Sequence, residues 1–273
     1  KVSSKKRRAS FVNLFYFCRN YRNMNPFMKY SGKHVFHFTK FESALRIIAT
    51  KSLKFGRFNN MNDIAEVKRD VYGMVPPKTI LDELSKYQSI SLTLDKHPHR
   101  GFKLEPHWGH NAQGGNGACL VFDMDKLALR IREQFGEKAT MESIRYSSDH
   151  SNAIFTEGDS QEKVKKFIKD NLQEIFFTKS IDWKYEQELR ILIEGHSTEE
   201  KLLYGDDALV TVILCLPKVD DYKKSAEFKV LKSLLPNIPI LHYTTSLGNK
   251  ELLDENGEKV CDIPGEDLQI LFE

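Results

Sequence analysis

One short stretch of the chain, FFTKSIDWKYEQELRILIEG at residues 176–195, crowds ionisable side chains in front of an apolar run. Two glutamates two positions apart, Glu186 and Glu188, are followed by Arg190. A carboxylate beside a guanidinium stays ionised, and an ionised carboxylate can stabilise developing positive charge or accept a proton from a nucleophile. The residue types and their spacing therefore make this stretch the first candidate for an active site.

An extended conformation over residues 183–193 would give this stretch two different faces, because strand side chains alternate. The face with the charges would carry Asp182, Lys184, Glu186, Glu188 and Arg190, and the other Trp183, Tyr185, Gln187, Leu189, Ile191 and Ile193. An exposed row of ion pairs has the same pattern. A short helix that pairs Glu186 with Arg190 at four-residue spacing has it too. The pattern alone leaves the catalytic and the structural alternatives open.

Histidines are the next candidates. His37 lies in the alternating stretch KHVFHF, residues 33–38, directly before a predicted helix, where its side chain can face a cleft or fill the core. Four more histidines stand between His97 and His110 at spacings that could hold a metal ion in principle. Their surroundings are polar and rich in glycine, and such a loop would not place four ligands rigidly. We therefore predict no metal site.

Hydrophobic spacing predicts the elements that must position these residues. Strands are predicted at 33–38, 89–94, 118–123, 142–147, 189–195, 209–217 and 238–245, and helices from Thr39 to near Lys51 and at 79–87, 124–135, 162–177 and 224–235. Thr39, followed three residues later by Glu42, has the pattern of a helix N-cap. Many strands and irregularly placed helices favour an α+β fold with mixed, largely antiparallel sheets and peripheral helices.

A single α+β domain is predicted over residues 33–273, after a basic and aromatic segment at 1–32. The run KKRR at 5–8 fits either a solvated tail or a phosphate-binding arm. Residues 196–273 could complete the sheet or form an accessory lobe. The apolar run LVTVILCLP, 209–217, favours completion, because a buried central strand needs cover on both faces.

Composition places the chain in the globular class, with 40% hydrophobic and 29% charged residues. A net charge of +3 argues neither for nucleic acid nor for a membrane surface, and no apolar run approaches the roughly 20 residues that span a bilayer. The four cysteines are far apart in sequence, as expected of reduced thiols. We expect a cytoplasmic protein without a membrane partner, and the sequence predicts no oligomeric state.

Three stretches resemble, in order, a large bacterial family, domain of unknown function 2971. They are HFTKFESALRIIATKSLKFGRFNNMND, HWGHNAQGGNGACLVFD and FTKSIDWKYEQELRI. The last one carries a nearly complete family motif formed by Lys179, Trp183, Tyr185, Glu186, Glu188 and Arg190. Three residues after Trp108, where the family usually has Tyr, this chain has Asn111 beside His110. The resemblance implies a role in bacterial antiviral defence by abortive infection.

A second resemblance, to ADP-ribosyltransferase folds and above all to their DNA-modifying members, rests on three features. They are an early H-x-T strand before a helix, a central aromatic segment and a late Glu that begins a strand. This resemblance implies an ADP-ribosyltransferase or NAD glycohydrolase with NAD as substrate, no bound cofactor, and nucleic acid or protein as acceptor. The residues that it implies are His37 as the early contact, Trp108 or Tyr185 as the stacking surface, Glu188 as catalytic carboxylate, Glu186 to position the acceptor, and Arg190 to keep Glu188 ionised. The first resemblance adds Asn62 and Asp63, from the family's N-D loop, and His110, which could take over the role of the family Tyr, as further binding residues.

The alternative hypothesis is a catalytically inactive module that uses the same cleft to sense a nucleotide or a nucleic acid. A third is an interaction subunit whose partner supplies the activity. The intact E-x-E-x-R pattern favours an enzyme, whereas Asn111 in place of the family Tyr favours the inactive module.

Overall fold

The computed structural model describes residues 31–57, 78–96, 100–148, 160–195, 200–215, 222–246 and 249–260. Its strands are β1 Ser31–Thr39, β2 Ser52–Lys54, β3 Gly56–Arg57, β4 Tyr87–Lys96, β5 Ala118–Asp123, β6 Ala139–Ser143, β7 Arg145–Ser147, β8 Thr178–Ser180, β9 Glu188–Glu194, β10 Lys201–Leu203, β11 Leu209–Leu214, β12 Ile240–Ser246 and β13 Asn249–Leu253. Its α-helices are α1 Phe41–Thr50, α2 Lys78–Leu84, α3 Glu105–His110, α4 Met124–Phe135, α5 Gln161–Asp170, α6 Leu172–Phe176 and α7 Ala226–Leu234. Short 3-10 turns occupy Gly101–Lys103, Gln113–Gly115, Gly136–Lys138, Ile181–Glu186 and Tyr222–Lys224.

Within these residues, one large sheet has the strand order β13-β12-β11-β5-β1-β4-β9-β6, with β3 paired to the start of β4. Its neighbouring strands are antiparallel except for β11 and β12. Two small sheets, β2 with antiparallel β10 and β7 with parallel β8, lie beside it. The α+β class with mostly antiparallel pairing is therefore confirmed. The strands β11 to β13, which come after residue 196, complete the large sheet, as the apolar run at 209–217 predicted.

The two faces of the large sheet are covered differently. On one face, α1, α4 and α7 pack against inward side chains such as Val35, Leu120 and Ile191. On the other face, one apolar cluster surrounds Trp108 and another joins α5 and α6 to Leu192. A residue therefore reaches the α1–α4–α7 face or the opposite face according to its register in the sheet.

Helix starts follow from local chemistry, with one departure from prediction. The Asp123 side chain accepts hydrogen bonds from the backbone N–H groups of Asp125 and Lys126, which fixes the start of α4 directly after β5. The predicted N-cap at Thr39 is wrong, because Thr39 is still paired with Ala118 in the sheet. Lys40 takes the N-cap position instead, without a side-chain hydrogen bond.

Two predicted elements are each divided in two. The helix predicted at 162–177 breaks at Asn171, whose side-chain amide donates to the Phe167 carbonyl oxygen over 2.9 Å. The strand predicted at 142–147 is interrupted at Ile144, so that β6 joins the large sheet and β7 pairs with β8. The predicted segment 1–32 lies outside the described residues except for its last two positions. No helix among the residues described is long and apolar enough to cross a membrane.

Candidate functional site

The stretch before β9 is a turn rather than a strand. Residues Ile181–Glu186 form a 3-10 turn, and the Ser180 hydroxyl accepts a hydrogen bond from the backbone N–H of Asp182 at its start. Gln187 then adopts a left-handed conformation with φ of 48° before β9 begins. Of the extended conformation considered for residues 183–193, only the part from Glu188 onward is a strand, in agreement with the strand predicted at 189–195. A capped turn and one left-handed residue occupy the stretch before Glu188 instead. Neither produces a hydrophobic periodicity from which it could be predicted.

The turn and β9 nevertheless bring the predicted charges together. Lys179 donates to Glu186 over 2.7 Å and forms an ion pair with Glu188 Oε2 at 2.8 Å. Arg190 donates from Nε to Glu188 Oε1 over 2.8 Å and from its terminal Nη2 to Oε2 over 3.1 Å. Glu188 and Arg190 are 2% and 0% exposed, so this pair has been removed from water almost completely. We call the group formed by Lys179, Glu186, Glu188 and Arg190 the ionic cluster.

Electrostatics in the ionic cluster hold Glu188 ionised. Burial by itself raises the pKa of a carboxyl group, because it disfavours the charged form. The charges of Arg190 and Lys179 and their hydrogen bonds outweigh that effect and lower the pKa of Glu188 from 4.5 to about 2. The two cations balance the two carboxylates, so the cluster carries no net charge.

Three partners of the cluster were not singled out from the sequence. The Ser91 hydroxyl donates to Glu188 Oε1 over 2.6 Å, and the Glu188 backbone N–H donates to the Tyr146 hydroxyl over 2.9 Å. The Phe176 carbonyl oxygen accepts from Arg190 over 2.6 Å. These partners come from β4, β7 and α6, and no sequence signal links segments so far apart. The pairing of Ser91 with Arg190 across β4 and β9 brings the Ser91 hydroxyl to the cluster.

His107 connects α3 to the turn. Its Nε2 lies 3.2 Å from the Glu186 carbonyl oxygen and 3.1 Å from the Thr93 hydroxyl, and its ring stacks on Phe38 at 4.9 Å. Burial lowers the pKa of His107, although hydrogen bonds to Glu186 and Asn111 act in the opposite direction. Asn111 stands where the resembled family usually has Tyr. Its side chain is hydrogen-bonded to His107, and His107 in turn contacts the turn at Glu186.

The outer side of the turn carries two aromatic rings. Tyr185 is 36% exposed and Trp183 is half-buried, and their ring centroids lie 6.1 Å apart. The Lys179 ammonium lies 5.6 Å from the centre of the Trp183 ring, and the His107 ring lies 6.4 Å from that of Tyr185. Buried groups on two sides thus fix this pair. We call Trp183 and Tyr185 the aromatic platform.

The other predicted site residues are dispersed. His37 pairs with Leu120, so its side chain leaves β1 towards the α1–α4–α7 face, and its Nδ1 lies 3.4 Å from the Ser91 carbonyl oxygen. Glu188 and the Ser91 hydroxyl lie on the opposite face, and the structure therefore does not bring His37 to the carboxylates. Burial lowers the pKa of His37.

Trp108 and His110 also lie apart from the platform. Trp108 is 4% exposed, stacks on Tyr243 at 5.4 Å and donates from its indole N–H to the Phe102 carbonyl oxygen. It is a core residue, which leaves Tyr185 as the exposed ring of the two that were predicted to stack. His110 is exposed at the end of α3. Asn62 and Asp63 lie outside the described residues.

Comparisons with known proteins bear on this same region. The model of a family described as a protein of unknown function (DUF2971) matches residues 107–191. The matched range begins at His107 and includes the aromatic platform and the whole ionic cluster, whereas the first of the three resembling stretches lies outside it. No curated protein and no solved structure matches the chain.

Proposed function

We propose that this chain is a nucleotide-binding module that holds a base on the aromatic platform and uses the ionic cluster as rigid support. The observation that carries the proposal is the exposed ring of Tyr185 beside Trp183 on a turn fixed by buried charges. Aromatic side chains bind bases by stacking, since every base has a π-face, and each stack is worth about 1–3 kcal/mol.

Rigidity of the turn supports this function. Glu186, between Tyr185 and Gln187, is fixed through its carboxylate by Lys179 and through its carbonyl oxygen by His107. The end of β4 adds a third anchor, because the Leu94 N–H donates to the Gln187 carbonyl oxygen over 2.9 Å. A platform held in advance loses less conformational entropy on binding than a mobile one.

The placement of Glu188 favours binding over NAD cleavage. A catalytic carboxylate that stabilises an oxocarbenium ion must contact the ribose. Both oxygens of Glu188 already face Ser91, Lys179 or Arg190, and Glu188 is 2% exposed. An ADP-ribosyltransferase-like activity would require this network to open. The defence role implied by the family resemblance is compatible with a nucleotide sensor, and we include it in the proposal.

Calorimetric titration with adenosine, AMP, NAD and a short single-stranded oligonucleotide tests the proposal. We expect binding of base-containing ligands by the wild type and a loss of about tenfold or more for Trp183→Ala or Tyr185→Ala. Ile181→Ala is the matched control, because it removes an exposed aliphatic side chain, 46% exposed, from the same turn. It should leave affinity unchanged.

Nicotinamide release from NAD separates the two functions. The proposal predicts no release by the wild type, alone or with nucleic acid and lysate as acceptors. Release by the wild type and none by a folded Glu188→Gln variant would replace the proposal with the NAD-consuming transferase. Absence of binding by every ligand would overturn the nucleotide proposal.

A further inference from the structure

A cavity of about 230 Å³ lies on the α1–α4–α7 face of the large sheet. Its walls come from the end of α1, from the connection between β10 and β11, and from the end of α7 with the loop that follows it. Ile48, Tyr204, Leu209 and Ile238 are among its apolar lining residues. The ionic cluster lies on the opposite face of the sheet, so this cavity is separate from the site described above.

The size and lining of the cavity suit a small apolar body. A cavity of about 150 Å³ lined by aliphatic and aromatic side chains is large enough to hold benzene. Leu234, in the wall, is 45% exposed, although most of the neighbouring apolar side chains are buried in the core. A ligand that covers Leu234 removes apolar surface from water, which favours binding. We therefore expect the body of the ligand to be an apolar ring or a short aliphatic chain.

Two helix C-termini border the cavity. Helix α1 ends at Thr50 and α7 at Leu234, and residues of both last turns, Ile48 and Leu234, line the cavity. The last carbonyl groups of a helix lack intrahelical partners, and together they carry the equivalent of about half a negative charge. The two helix ends therefore present hydrogen-bond acceptors and a negative potential to a bound molecule, which favours a positively charged donor.

Side-chain charges at the cavity leave this preference in place. Lys51 and Asp206 both line it and form an ion pair with each other, so their charges cancel. Lys51 donates to Asp206 Oδ1, and among the described residues no hydrogen bond reaches Oδ2, which can accept from a second cation. The last turn of α1 has no basic residue, and Lys232, in that of α7, is paired with Glu255.

We propose that this cavity binds a small primary amine with an apolar body. The apolar walls hold the body, and the two helix ends and Asp206 stabilise the ammonium group, which has three donors and a full positive charge. A carboxylate of the same shape would be repelled by the same helix ends, and an alcohol offers one donor and no charge. The inference is independent of the proposed function, because the aromatic platform takes no part in it.

Calorimetric titration of the full chain with three ligands of similar shape tests the proposal. The ligands are 2-phenylethylamine, 2-phenylethanol and 3-phenylpropionate, which differ in the charge of the polar group. We expect the amine to bind at least about tenfold more tightly than the alcohol, and the carboxylate to bind most weakly. Equal binding of the amine and the alcohol, tighter binding of the carboxylate, or no binding by any of the three would overturn the proposal.

A charge placed in the wall gives a second test. Leu234→Lys adds a cation beside the expected ammonium group and should weaken amine binding at least about tenfold. The fold should be retained, because Leu234 is 45% exposed and a lysine is favourable in the last turn of a helix. Leu129→Lys is the matched control, since Leu129 is 47% exposed on α4 and does not line the cavity. It should leave the affinity for the amine unchanged.

Filling the cavity locates the bound amine. Ile238→Phe adds volume to the wall and should abolish binding of the amine and of the alcohol. If that variant does not fold, Leu234→Lys alone decides. Amine binding that is unchanged in both variants would place the amine elsewhere on the molecule and overturn the proposal. Adenosine should bind the wild type and Leu234→Lys equally, so this inference and the proposed function can fail separately.

Discussion

The ionic cluster and the aromatic platform are a few residues apart in sequence and opposite in character. In the cluster, the charges of Lys179, Glu188 and Arg190 are buried and matched by partners. On the platform, the Tyr185 ring is exposed and the neighbouring Trp183 ring is half-buried. The same motif thus supplies both a buried group of paired charges and a partly exposed aromatic surface.

This difference separates stability from function. Removing one partner of a buried ion pair leaves an uncompensated charge in the interior and is strongly destabilising. An exposed ring adds little to stability, so its presence requires another explanation. Substitutions in the two regions should therefore have opposite signatures.

The largest effect is expected from Glu188→Ala. It leaves Arg190 buried without its carboxylate and should lower the free energy of unfolding by about 3–5 kcal/mol, as measured by urea denaturation. Glu194→Ala, at the other end of β9, is the control and should change it by less than about 0.5–1 kcal/mol. Replacing Glu188 and Arg190 together by leucine should cost less than Glu188→Ala alone. If Glu188→Ala is as stable as the wild type, Glu188 is not needed for stability, and it would then be the functional carboxylate.

Acid is the next strongest perturbation. Because the pKa of Glu188 is lowered from 4.5 to about 2, its stabilisation is complete above pH 4.5 and is lost as the pH falls towards 2. That loss should amount to about 3 kcal/mol. Urea denaturation of the wild type and of Glu188→Gln between pH 6 and pH 2 measures this loss. The difference in free energy of unfolding between the two proteins should shrink as the pH falls. A constant difference would contradict the ion pairing.

A smaller decrease in the free energy of unfolding is expected from Ser91→Ala, which removes the hydroxyl that donates to Glu188. Ser91 is itself exposed and its hydrogen bond to Glu188 is only partly buried, so chemical denaturation should show a decrease of about 0.5–1.5 kcal/mol, the typical net value of a hydrogen bond. Ser85→Ala removes a hydroxyl whose exposed hydrogen bond goes to the neutral Asp82 carbonyl oxygen at the end of α2, and it should lower the free energy of unfolding by no more than about 0.5 kcal/mol. Equal losses in the two variants would mean that the cluster does not depend on Ser91.

The smallest change in stability belongs to the platform. Tyr185→Ala should alter the free energy of unfolding by no more than about 0.5 kcal/mol, while affinity for the nucleotide falls. Paired denaturation and calorimetry on the same preparation measure both quantities. A loss of stability as large as that of Ser91→Ala would assign Tyr185 to the structure and erase the contrast between the two regions.

Local patterns carried the sequence predictions that succeeded. Alternation in 33–38 and 89–94 predicted β1 and β4, and the continuous apolar run at 209–217 predicted β11 inside the sheet. Glu186, Glu188 and Arg190 share the cluster because they follow each other closely along the chain. The patterns did not predict the backbone where a single residue changes its direction. At Gln187, one left-handed residue separates the turn from β9, and no periodicity indicates it.

The sequence by itself determined the α+β class, most of its elements and the concentration of charge before β9. Only the tertiary structure decided that Glu188 is buried, that His37 faces away from it and that Ser91 completes its shell of partners. The physical reason is register. Which strands become neighbours, and with what offset, depends on the packing of distant segments, and a shift of one residue moves a side chain to the other face of the sheet.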